Sequence, residues 1–268
     1  MRLKPTLSRL TALAGLLGLM VVGGAAIAQE SEHALVTVFH AVPAEDGFPA
    51  DVYLNDQLVI DGFVFAASSD TFELDPGPAQ LDIYPDGADP NTDSPAVSAA
   101  VTIEAGANYS VVAQISGGAP VISLFENDTT GVGAGEARLT FRQTSAADTL
   151  DVSVDGQDTF TAIASTNEAS TELAAGQVTL TISNAGGTVF EGPLSISDGA
   201  LTVVYAVGDP AGDEFDILVQ EVVIPQVAPT EVPTGSGGDK AAGSVPFWLL
   251  LIPISIVAVG LVSRRRLE

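Results

Sequence analysis

Between residues 34 and 221 the apolar side chains recur mostly at every second position, not every 3.6. That period confines the chain to extended strands with one buried face. Leu35-Val36-Thr37-Val38-Phe39, Ala50-Asp51-Val52-Tyr53-Leu54 and Gln80-Leu81-Asp82-Ile83-Tyr84 alternate or are β-branched. Asn55-Asp56, Asp75-Pro76-Gly77, Asp86-Gly87 and Gly117-Gly118 separate them with turn chemistry. Strands broken every ~8–12 residues indicate a sandwich or barrel. No stretch in this range has the period of an amphipathic helix, and residues 63–69 are the most ambiguous piece.

The same order of features occurs twice. Val36-Thr37-Val38-Phe39 aligns with Arg138-Leu139-Thr140-Phe141, and Ala50-Asp51-Val52 with Leu150-Asp151-Val152. Glu73-Leu74 and Leu81-Asp82-Ile83 align with Glu172-Leu173 and Leu180-Thr181-Ile182. Ile103-Glu104-Ala105-Gly106-Ala107 aligns with Ile196-Ser197-Asp198-Gly199-Ala200, each followed by an apolar strand. The expectation is two tandem β-sandwich domains, residues 34–126 and 136–221, joined by a hinge at 127–135. The hinge holds Gly131, Gly133 and Gly135. A nucleotide loop would need a further Gly and a following helix, so a linker is the better reading.

The run Val38-Phe39-His40-Ala41-Val42-Pro43-Ala44, then Ala50-Asp51-Val52-Tyr53-Leu54-Asn55, is distinctive. So are the turn Leu74-Asp75-Pro76-Gly77 and the strand Ala105-Gly106-Ala107-Asn108-Tyr109-Ser110-Val111-Val112-Ala113. Over residues 34–125 these resemble a bacterial secreted domain of unknown function, DUF family number 4397. The resemblance implies a secreted immunoglobulin-like sandwich, with no catalytic residues and no established ligand. Repeat two keeps Leu150-Asp151-Val152 but has no His or Pro in the preceding loop, so it reads as a divergent copy.

The two ends set the expected topology. Arg2, Lys4 and Arg9 precede an apolar run over residues 10–27 that closes in Ala26-Ile27-Ala28. That is the layout of a signal peptide at 1–28. A second uncharged apolar run leads into Arg264, Arg265 and Arg266, with Trp248 near its start. Residues 245–263 are long enough to span a bilayer at ~1.5 Å per residue. Clustered Arg keeps the 264–268 tail cytoplasmic. The expected localisation is therefore a single-pass cell-membrane protein with its bulk extracellular. Residues 222–244, with Pro225, Pro229, Pro233 and a Gly-Ser run, read as a stalk. Val232-Pro233-Thr234-Gly235 departs from a sortase signal in its first residue and by one missing position, so membrane retention is preferred to wall attachment.

The 268 residues carry 34 acids, 9 Lys and Arg, 2 His and no Cys. Outside the two ends, residues 29–239 hold only two bases, Arg138 and Arg142. Such a surface does not neutralise phosphates, so no nucleic-acid partner is expected. Disulfide, thiolate and Ser-His-Asp chemistries lack material. His40 sits at a strand end where a hydrogen bond to the next loop is the simplest role. No Gly-x-Ser-x-Gly elbow accompanies it. Asn108-Tyr109-Ser110 and Asn127-Asp128-Thr129 match glycosylation sequons but carry no argument in a chain that reads as bacterial. The best local cluster is Asp86, Asp89, Asn91 and Asp93, in which Asp89, Asn91 and Asp93 alternate like the first ligands of a calcium loop. Position 100 is Ala where an EF-hand has a bidentate Glu, and such residues also form plain turns.

These readings predict a non-enzymatic binding, adhesion or envelope-structural protein with no cofactor. Its expected partners are the membrane, through the C-terminal helix, and an unidentified extracellular ligand or envelope component. The loops 42–50 and 85–96 are the expected contact surfaces. One alternative is a calcium-stiffened spacer or cation-dependent module. The other is an extracellular hydrolase, which would need a pocket with a perturbed acid or His.

Overall fold

The computed structural model describes residues 32–43, 49–212 and 214–227. The expected signal peptide, the transmembrane segment and the stalk beyond Val227 lie outside these residues. Every regular element among the described residues is a strand. The first eight are β1 (Ala34–His40), β2 (Ala50–Leu54), β3 (Gln57–Phe63), β4 (Phe72–Leu74), β5 (Gly77–Pro85), β6 (Val97–Ile103), β7 (Asn108–Ser116) and β8 (Ala119–Glu126). Then come β9 (Val132–Gly133), β10 (Glu136–Gln143), β11 (Thr149–Val154), β12 (Gln157–Ala164) and β13 (Glu168–Ala174). The last are β14 (Gly176–Asn184), β15 (Gly187–Ile196), β16 (Ala200–Asp209), β17 (Glu214–Val223) and β18 (Gln226–Val227).

Among the described residues four four-stranded sheets form, in the orders β3-β2-β5-β6, β4-β1-β7-β8, β13-β10-β16-β17 and β12-β11-β14-β15, with a small two-stranded sheet β18-β9 beside them. The first two enclose one core, with Val36, Val38, Val52, Leu81 and Val111 at its centre. The last two enclose another, around Leu139, Phe141, Leu150, Leu180 and Val204. The strand order of the second pair reproduces that of the first. In the seven-stranded immunoglobulin arrangement the first strand pairs with the second. Here β1 instead pairs antiparallel with β4 and parallel with β7, and β10 does the same with β13 and β16.

Tight turns set the hairpins. Asn55 and Asp56, and equally Asp155 and Gly156, take positive φ. These are the two central residues of the two-residue hairpins β2–β3 and β11–β12. Asn, Asp and Gly tolerate that backbone better than other residues. Gln80 N–H donates to Asn55 Oδ1 and Thr179 N–H to Asp155 Oδ1, tying each turn to the neighbouring strand.

The register corrects the alignment of the first strand. His40 lies opposite Ala113, and Gln143 opposite Ala206. Val36 therefore corresponds to Leu139 rather than Arg138, and Phe39 to Arg142. A one-residue slip exchanges the two faces of a strand. In the corrected register Val36, Val38, Leu139 and Phe141 all point into their own cores.

The outer faces of the two central sheets pack against each other. Phe39, Ala41, Val112 and Phe125 meet Leu201, Val203, Tyr205 and Val207 in a third apolar core. The fold is thus four layers deep. β7, β10 and β16 are buried on both faces, with nearly every residue inaccessible.

The segment expected as a hinge is tied down. β9 pairs with β18, Val132 is 1% exposed, and Arg138 donates to the carbonyls of Asp128 and Thr130. Thr130 hydroxyl and N–H bonds, helped by Arg138, hold the Asp128 carboxyl below the usual range. Part of the expected stalk is also folded: β17 runs to Val223, and Gln226 Nε2 donates to Asp198.

Candidate binding surface

In the two central sheets β1 runs parallel to β7 and β10 parallel to β16, with the outer strands antiparallel to them, which sorts the strand ends by side. The start of β1, the 127–135 crossover and the exit after β17 gather at one end. There Asn127 N–H bonds to Asn108, Gly199 N–H to Glu136, Ile224 N–H to Gly199 and Val132 N–H to Pro225. The strand ends that flank the connections β1–β2, β5–β6, β7–β8, β10–β11, β14–β15 and β16–β17 fall at the opposite end. The Gly208 N–H donates to the Ala41 carbonyl at 3.2 Å, joining the loop ends of the two sandwiches.

In the first sandwich this end is organised by Asp51, which is 4% exposed. Its Oδ1 accepts the Gly62 N–H at 2.9 Å and its Oδ2 accepts the Gly87 N–H at 3.1 Å. Gly62 has φ 61°, at a bulge where the β2–β3 register shifts. Asp151 does the same for Ala162, at φ 52°. The repeated Asp-Val pair is thus a device for holding a bulge. Asp51→Ala leaves two backbone donors unbonded at a half-wet site. It is expected to lower the urea unfolding free energy by about 2 kcal/mol, with Asp51→Asn losing less.

The four residues read as a cation loop do not act as one group. Asp89 Oδ1 accepts the N–H and side-chain amide of Asn91, and Asp93 Oδ2 accepts the Asp89 N–H. These bonds knit Asp89, Asn91 and Asp93 into an exposed turn. The Asn91 donors hold the Asp89 carboxyl below the usual range. Asp86 instead joins Asp51 and Asp61, with one carboxylate oxygen from each lying within 4.8 Å of the others. This trio supplies the oxygen donors that a hard cation prefers. Nothing in the spacing of residues 51, 61 and 86 announces it, because three separate strand ends bring it together.

His40 is buried and stands edge-on to Phe63, ring centroids 5.7 Å apart. Its backbone N–H and C=O bond to Ala67 and Ala66 of the following crossover.

In the second sandwich the β10–β11, β14–β15 and β16–β17 connections line an open cleft of about 790 Å³. Asp148 and Asp209 contribute carboxylates, and Thr149, Asn184 and Thr188 contribute neutral polar groups. Asp209 Oδ1 is bonded to the Ala211 N–H and Asn184 Oδ1 to the Gly186 N–H, which fixes the shapes of their turns.

Residues 34–153 match a family described as a domain of unknown function, DUF4397. No curated protein matches the chain. Among solved structures, the Bacillus anthracis TIE protein is similar at 14% identity and a TM-score of 0.21. That match covers 65% of this chain, which spans 33% of the TIE chain.

Proposed function

We propose that the chain is a membrane-anchored extracellular protein whose tandem sandwiches, the second a divergent copy of the first, present a non-catalytic binding face. The carrying observation is the sorting of the two ends. Chain entry, crossover and exit lie together, and the loops of both sandwiches lie opposite. An anchor beyond Val227 therefore leaves from the end away from the loops and holds them outward. Loops on a rigid scaffold are where sandwich proteins make contacts.

The test uses whole cells producing the full chain. Protease added outside should remove the β-sandwich epitope, and those cells should retain ligands from a panel of glycans and matrix proteins. An epitope that resists shaving until the cells are lysed would sink the anchored, outward-facing arrangement.

A second reading, a cation-dependent module, is favoured by the Asp51–Asp61–Asp86 trio. Against it, Asp51 already spends an acceptor on each oxygen. An extracellular-type site of ~0.5 mM affinity would add about 1.4 kcal/mol at 5 mM calcium. The melting midpoint should then rise by ~3–6 °C over the chelated protein, and Asp61→Asn with Asp86→Asn should remove the rise. Equal midpoints with calcium and with chelator dismiss this reading.

A further inference from the structure

We infer that the cleft at the loop end of the second sandwich binds an alkyl ammonium group, the chemistry of a lysine side chain or a free aliphatic amine. This rests on the outward-facing arrangement proposed above and assigns it a ligand class. The volume, about 790 Å³, falls within the range of small-ligand sites. Its walls are short: Ala146, Ala185 and Pro210 offer apolar surface for a methylene stem, and Asp148 and Asp209 offer carboxylates for the charged head.

Other classes fit worse. None of the lining residues is Lys, Arg or His, so an anion meets two carboxylates and no opposite charge. None is aromatic, so a sugar finds no stacking platform. The wider field points the same way. Both bases of the 29–239 region are turned inward, Arg138 at 6% exposure and Arg142 at 1%. The potential over the loop end is then set by carboxylates, which steer cations toward it.

The experiment uses the full chain in neutral phosphatidylcholine nanodiscs at ~150 mM salt, where diffuse attraction is screened beyond about 8 Å. A fluorescent Gly-Lys-Gly-Lys-Gly peptide, its norleucine counterpart and putrescine are titrated. The lysine peptide or putrescine should bind and the norleucine peptide should not. Whichever amine binds identifies the source. Asp148→Asn with Asp209→Asn should weaken binding at least ~10-fold, the scale of a lost charge-assisted pair. Asp56→Asn with Asp158→Asn, at the opposite end, should change it less than ~2-fold. Ala185→Trp, which fills the cleft without touching a charge, should also abolish binding. All variants should melt like the parent. Equal weakening by both Asp pairs, binding that survives Ala185→Trp, or no amine binding at all each overturns the inference. The shaving result stands apart from all three, so a failed cleft is distinguishable from a failed topology.

Discussion

Arg142→Met should destabilise the protein by about 3 kcal/mol, the lower end of the range for breaking a buried ion pair. Arg142 is the largest fully buried side chain among the described residues, and it sits where the two sandwiches meet, against Glu126 and Phe125. Its Nε donates to Glu168 at 2.7 Å and its NH1 to the Tyr205 hydroxyl at 2.8 Å. The guanidinium lies 4.6 Å from the Phe125 ring centroid. Met conserves much of the volume and packs on the same rings, so most of the loss is polar. Glu168 keeps 39% of its side chain exposed and can regain water, which is why the lower figure is expected. By the same argument Glu168→Gln alone should cost only about 1 kcal/mol. Arg142→Lys should behave more like Met than like Arg, because an ammonium lacks the planar fork that reaches Glu168 and Tyr205 together. Urea midpoints of the three variants check this ordering. A Glu168→Gln loss equal to that of Arg142→Met would mean that the ion pair, not the interlayer contacts, carries the stability.

The position of that arginine explains what the sequence could and could not reveal. Strands with one wet face announced themselves: β6 and β13 alternate strictly between half-buried and exposed. So did the hairpin turns and the paired Asp51 and Asp151. The central strands were harder. With both faces covered, β16 reads as a near-continuous apolar run, and the alternation that fixes register disappears. The apolar pattern of the first strand consequently aligns one residue out, setting Arg138 against Val36 in place of Leu35 and Leu139 against Thr37 in place of Val36. The packing of the sandwiches was hidden for the same reason. Val203 and Val204 face different cores, yet a valine run alone does not say so. A signal was nonetheless present. The two bases of the 29–239 region are four residues apart, and on a strand that spacing puts both on one face. In so acidic a chain, that face had to be structural or functional. It proved to be the seam, where Arg138 also pairs with Glu172 at 2.9 Å. At the loop end the Asp51–Asp61–Asp86 trio and the second-sandwich cleft were invisible because each draws on several non-adjacent connections.

Tyr205→Ala should have the larger effect, about 4 kcal/mol, the usual scale for deleting a buried aromatic ring. The side chain is 0% exposed and stacks on Phe39 with ring centroids 4.2 Å apart. Its hydroxyl accepts from Arg142 and lies 2.7 Å from both Ser110 Oγ and Gln220 Oε1. Gln220 in turn donates to Thr37 at 3.3 Å, so one network ties β1 and β7 to β16 and β17. Removing the ring opens a void between layers and strands these partners, whereas each sandwich retains its own core. The parent should therefore melt in one calorimetric transition, and Tyr205→Ala should split it into two. Tyr205→Phe separates ring from hydroxyl and should cost about 1–2 kcal/mol. It also has a pH signature. Burial raises the Tyr205 pKa, with Arg142 only partly opposing it, so the folded state favours the neutral hydroxyl. That contribution is complete below the unfolded value of ~10 and is lost as pH climbs past it. Between pH 9 and pH 11 the parent's urea midpoint should fall more steeply than that of Tyr205→Phe. Tyr84 and Tyr109, also raised by burial, leave some slope in both. Parallel slopes would mean that the phenol between the layers ionises as freely folded as unfolded, and a single transition in Tyr205→Ala would mean that the sandwiches hold together without it.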